Sequence, residues 1–68
     1  MERFVVNSSN INSVGFENGI LEVEFVSGSV YRYFDVPQEV FESLVNAPSV
    51  GKFFNENIRS IYGHERVS

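Results

Sequence analysis

Ser49-Val50-Gly51-Lys52, with Asn55 three residues on and Arg59 four beyond that, is the run best suited to hold a phosphate. If a helix starts here, its free backbone N–H groups and the Ser49 hydroxyl face an anion, Lys52 and Arg59 supply positive charge, and Asn55 adds a hydrogen bond. Lys52, Arg59 and Arg66 are spaced by seven, so the first two are expected to share one helix face. Glu56 falls on or near that face and opposes it. The blander account is an ordinary N-cap at Ser49, with Gly51 kept small by something packed against it. The run is no nucleotide-binding P-loop, because it lacks that motif's glycine count and its Lys-Ser/Thr ending.

Tyr31-x-Tyr33 offers a different chemistry, since exposed aromatic rings on a sheet stack unpaired bases. The competing account places both rings in the core, which a chain this small needs, and that is the expected one. Catalysis has less to work with. His64 is the single histidine, so no Ser-His-acid set assembles and no metal-ligand spacing appears. Glu22 and Glu24 share a strand face and read as a solvated pair rather than an acid–base couple. No catalytic residue, metal or cofactor is expected, and the chain is not expected to be an enzyme.

Composition narrows the classes further. Sixty-eight residues make a single domain, 1–68. A chain of that size buries only about 60% of the surface its unfolded form exposes. Without cysteine, neither a disulfide nor a thiolate metal site can help, which fits a reducing cytoplasm. Seven Phe and three Tyr are the compensation, because each ring buries a large area. A net charge of −4 argues against nucleic-acid binding through bulk electrostatics, though not against a local basic patch. No apolar run reaches the roughly 20 residues of a membrane span, and Met1-Glu2-Arg3-Phe4 is unlike a signal peptide. A soluble cytoplasmic protein is expected.

The elements that must position these residues centre on Ile20 to Pro37. Asn18-Gly19 is a two-residue hairpin signal that pairs Phe16 with Leu21 and Val14 with Val23. The next hairpin has two candidate registers. A two-residue turn at Ser27-Gly28 opposes Val23 to Arg32 and turns Tyr31 and Tyr33 outward beside Glu22 and Glu24. A type I turn at Val26-Ser27, with Gly28 as a left-handed bulge, opposes Val23 to Tyr31, Leu21 to Tyr33 and Glu22 to Arg32. The second keeps one apolar row across the strands and makes an opposite-charge pair worth roughly 0.2–1 kcal/mol, so it is favoured. It points Tyr31 and Tyr33 inward with Val14, Phe16, Leu21, Val23 and Phe25. It also turns Phe34 outward beside Val30 and Val26, a strip suited to a protein partner or to self-association.

Pro37 suits the first position of a helix carrying Val40, Phe41, Leu44 and Val45, and Ser49 caps a second with Val50, Phe53, Phe54 and Ile58. The expected fold is α+β: a three-stranded antiparallel β-meander, 11–16, 20–26 and 29–35, with two C-terminal helices near 37–46 and 50–61 packed on one face. Residues 3–6 are a candidate extra strand, and the tail from His64 to Ser68 is expected to fray.

Several spaced features resemble the KTSC domain. They are Ser8-Ser9-Asn10-Ile11, Val14-Gly15-Phe16, the Tyr31-x-Tyr33 pair, Val36-Pro37, and Ser49-x-Gly51-x-Phe53-Phe54-Asn55 followed by Ile58, Arg59 and Tyr62. The resemblance covers nearly the whole chain, with Phe16 and Phe53 where the family often has Tyr, and Glu17 where it often has Asp. That family occurs at the C terminus of some lysyl-tRNA synthetases and as small bacterial or phage proteins. The resemblance therefore implies a non-catalytic binding module for RNA, tRNA-like or single-stranded. Ser49, Gly51, Lys52, Asn55 and Arg59 are the residues to test for it; the alternative is a protein–protein adaptor or homo-oligomer using Val30 and Phe34.

Overall fold

In the computed structural model, which describes all residues Met1–Ser68, two tight turns set the register of the sheet. Asn18 and Gly19 both take positive φ, 52° and 79°, as a two-residue hairpin turn requires. They join β2 (Ile11–Glu17) to β3 (Ile20–Phe25), with Phe16 opposite Leu21 and Val14 opposite Val23. Gly28 at φ 98° lies in the second turn, where its N–H bonds to the Phe25 carbonyl and the Phe25 N–H to Ser29. Past that turn, β4 (Val30–Tyr33) sets Tyr31 opposite Val23, Arg32 opposite Glu22 and Tyr33 opposite Leu21. This is the bulged register, and a slip of one residue would have put every one of these side chains on the wrong face.

The sheet has five strands, not three. β1 (Arg3–Val5) pairs with β2 through Phe4 opposite Val14, and β5 (His64–Arg66) pairs with β4 through His64 opposite Tyr33. The order is β1-β2-β3-β4-β5, all antiparallel. The C-terminal tail therefore does not fray: Val67 N–H bonds to the Val30 carbonyl, and Val30 N–H to Ser68. Backbone pairing aligns this strand, whose three residues are all exposed.

A second departure lies in β2. Ile11 opposes Phe25 while Ser13 opposes Glu24, so Asn12 is an extra residue in the strand. This bulge puts Ile11 and Ser13 on opposite faces, where plain alternation would put them together. Ile11 thereby becomes one of the most buried residues, at 0% exposure.

Helices α1 (Gln38–Val45) and α2 (Val50–Asn57) cover the inner face. Pro37 is the cap of α1 rather than its first residue, its carbonyl accepting from Val40 and Phe41. The core combines Ile11, Val14, Leu21, Val23 and Tyr33 from the sheet with Leu44, Phe54 and Ile58 from the helical side. Rings bind the layers together. Phe16 stacks on Phe41 at 4.9 Å, and Phe54 meets Tyr33 and Phe25 edge to face at 5.3 and 5.7 Å. Each such pair contributes about 0.5–1.5 kcal/mol beyond its buried area, which matters in a domain with so small a core. Neither helix is long and apolar enough to cross a membrane.

The outer face is ionic. Glu22, only 7% exposed, takes Arg32 Nε at 2.8 Å on one oxygen and Arg3 Nε at 3.1 Å on the other. Glu24 accepts from Asn12 Nδ2 at 3.0 Å and Ser13 Oγ at 2.9 Å, with Arg3 Nη1 at 3.6 Å. The apolar strip expected on this face is interrupted. Val26 is exposed and Phe34 half-buried, but Val30 is 7% exposed and offers no surface to a partner. The larger apolar opening lies elsewhere, where exposed Phe4 and Val45 flank Val6, Phe41 and Pro48 at the β1 edge.

Candidate nucleic-acid interface

Ser49 starts α2 with extended backbone, φ −128°, and its Oγ accepts from Lys52 N–H at 3.3 Å. That is the N-cap the sequence predicts, and it satisfies one of the helix's unpaired donors. Gly51 is small for a steric reason. A Cβ there would stand 2.6 Å from Asn10 Oδ1 and 3.2 Å from Ser8 Oγ. The loop that makes this contact is fixed by its own side chains: Ser8 Oγ donates to Asn10 Oδ1 at 3.0 Å and accepts from the backbone N–H of Ile11 at 3.3 Å. The Asn10 carbonyl in turn accepts from Val26 N–H.

Two clefts open from this contact. The first, about 740 Å³, lies between residues 7–10 and the start of α2, and Ser49, Gly51, Lys52, Asn55 and Glu56 line it. The second, about 880 Å³, lies between α2 and the end of the sheet, and Tyr31, Tyr33, Arg59 and His64 line it. Asn10 and Asn55 border both, so the clefts form one groove with an amide on each side of its midpoint.

Four of the five expected phosphate residues, Ser49, Gly51, Lys52 and Asn55, come together in the first cleft. Arg59 does not share their helix face, because α2 ends at Asn57 and the chain turns at Ile58, whose side chain is fully buried. The Arg59 N–H reaches back to the Phe54 carbonyl, and the residue lies in the second cleft. The two cations therefore stand in adjoining clefts instead of in one row.

The tyrosine pair divides. Tyr33 is a core ring at 3% exposure, as expected, whereas Tyr31 is half-buried, and both line the second cleft. Burial pushes the Tyr33 phenol above its ordinary 10.0, with Tyr31 adding to the shift and Arg59 opposing it. His64, held opposite Tyr33 by β5, has its ring 5.2 Å from that of Tyr33 and 6.0 Å from that of Tyr31. Sequence reasoning missed His64 and Asn10 as members of this surface. The only signal for Asn10 was its place in the Ser8-Ser9-Asn10 motif, and for His64 there was none, because its position depends on an unpredicted strand. Chemically, the groove presents amides, two phenols, two cations, flat rings and, at the Lys52 end, the carboxylate of Glu56, a set suited to binding a polar or planar group and, at the Arg59 end, an anionic one.

Comparison with known proteins identifies the family and the fold. The KTSC domain family model matches residues 7–62. The chain is 48% identical over 58 residues to an uncharacterised protein of Stutzerimonas stutzeri, covering 82% of each. It is 52% identical over 48 residues to a lysine–tRNA ligase of Nostoc punctiforme, covering 71% of this chain but 9% of the ligase. The crystal structure of a KTSC domain protein from Yersinia pestis superposes with a TM-score of 0.95 at 30% identity, over 98% of this chain and 97% of that one.

Proposed function

The chain belongs to the KTSC domain family, and from that premise we propose that it is a small, non-catalytic RNA-binding module whose ligand lies in the groove along α2. The observation that carries this reading is the shared border of the two clefts. Asn10 and Asn55 connect the Lys52 end to the Arg59 end, so a chain of phosphates meets a cation at each side of a hydrogen-bonding midpoint. A lysine–tRNA ligase among its relatives contains the same module, which supports RNA as the ligand. The protein works in the cytoplasm and needs no cofactor for this task.

The electrostatics are local. With a net charge of −4 the molecule as a whole repels RNA, so affinity rests on Lys52 and Arg59. Two neutralised phosphates on a single strand give a salt slope of about −1.4, so a fourfold rise in salt weakens binding by about sevenfold. Glu56 in the first cleft lowers affinity there. The test is anisotropy titration of a labelled tRNA-like hairpin and a single strand with wild type and with Lys52→Glu/Arg59→Glu. The double variant should lose binding and keep its circular dichroism spectrum; unchanged affinity would refute the reading.

A further inference from the structure

We infer that the second cleft is a pocket for one unpaired nucleotide, its base against Tyr31 and His64 and its phosphate on Arg59, so that the module selects single-stranded over base-paired RNA. This rests on the RNA reading above and specifies its ligand.

Three observations converge on it. No Asp or Glu is among the residues that line this cleft, although the chain has nine acidic residues. An anion entering here meets Arg59 without a carboxylate opposing it, unlike in the first cleft with Glu56. Secondly, Tyr33 is 97% hidden, yet no protein group pairs with its hydroxyl, and the structure has no side-chain oxygen or nitrogen that is both buried and unpartnered. The hydroxyl is therefore not sealed in the core but reachable from the cleft that Tyr33 lines, a hydrogen-bonding group fixed in place by its buried ring. Thirdly, aromatic rings line the cleft: the Tyr31 ring lies 6.0 Å from that of His64, tilted 50° to it, and Phe25 meets Tyr31 edge-on at 5.8 Å, so a base stacks on one ring face and touches the others by their edges.

Rings recognise base faces, and the phenol recognises a base edge. Both are hidden in a paired stem, which could offer this cleft only phosphates. The volume, about 880 Å³, is within the usual range of small-ligand sites and holds one nucleotide. The strand then continues over Asn10 and Asn55 toward Lys52.

The experiment compares a short single-stranded RNA with a blunt duplex of the same sequence, each titrated by calorimetry into wild type and Tyr33→Phe, a variant that keeps the core ring. The single strand should bind about tenfold tighter than the duplex, the scale of one stacked base. Tyr33→Phe should weaken the single strand about threefold, the scale of one hydrogen bond, and leave the duplex unchanged. Equal binding of both RNAs, unmoved by Tyr33→Phe, would overturn the nucleotide pocket while RNA binding itself stands. Binding of neither RNA would overturn the RNA reading and this inference together.

Discussion

Asn10 Oδ1 occupies the space into which a side chain at Gly51 would grow, 2.6 Å from where its Cβ would be. The loop before the sheet and the first turn of α2 are thereby fitted to each other, and the groove forms along their seam. Gly51→Ala sets about 1 kcal/mol of helix propensity against a displaced Asn10 and its hydrogen bond with Ser8. The two terms nearly cancel in wild type. In an Asn10→Ala background the 2.6 Å clash is gone and only the 3.2 Å approach of the rotatable Ser8 Oγ remains, so Gly51→Ala should be more favourable there than in wild type, giving a coupling of about 1 kcal/mol in a double-mutant cycle. Additive effects in urea denaturation would contradict the fit.

Glu22 stands between two guanidiniums on the outer face. Glu22→Gln should destabilise by about 1–3 kcal/mol, less than a fully buried pair would lose, because Arg3 and Arg32 keep 34% and 44% of their side chains in water. A loss under about 0.5 kcal/mol would place this carboxylate among ordinary surface ion pairs.

Glu24 is held below its ordinary 4.5 by the hydrogen bonds of Asn12 and then Ser13, with Arg3 adding and desolvation opposing. Because the folded value is depressed, its contribution to stability is complete above the unfolded value and is lost as pH falls through the folded one. An NMR titration of its carboxyl should give a midpoint below 4.5, rising in Asn12→Ala. A midpoint unmoved by that substitution would refute the assigned cause.

Tyr33→Ala should cost about 3–5 kcal/mol, as for other buried aromatic truncations. Tyr33→Phe should stay within about 1 kcal/mol of wild type, since the hydroxyl has no protein partner to lose. Thermal unfolding of both variants distinguishes ring from hydroxyl. Near-normal stability of the alanine variant would mean the ring is outside the core.

Much of the sheet was legible because turn chemistry leaves few choices. Asn18, Gly19 and Gly28 adopt the positive φ that their turns demand, and Glu22 opposite Arg32 confirmed the parity that those turns imply. The inward turn of Ile11 was not legible, because the bulge at Asn12 reverses alternation without any apolar signal. Nor was β5, since His64-Glu65-Arg66 has no hydrophobic pattern and is aligned by backbone bonds to β4. The site suffered from both gaps. Lys52 and Asn55 lie on α2 as the helix start implied, but Arg59 was placed on a helix face that ends two residues earlier. His64 could not be joined to the tyrosines without the strand that holds it there. Ser8 and Asn10 read as loop by composition, and their mutual hydrogen bonds appear only in three dimensions.

The most direct test of the RNA reading is an NMR titration of labelled protein with single-stranded RNA at low and at physiological salt. The account predicts shifts confined to Asn10, Ser49 to Arg59, Tyr31, Tyr33 and His64, weakening as salt rises. No shifts at low salt, or salt-independent shifts around Phe34 or Phe4, would contradict it and point to an apolar protein partner.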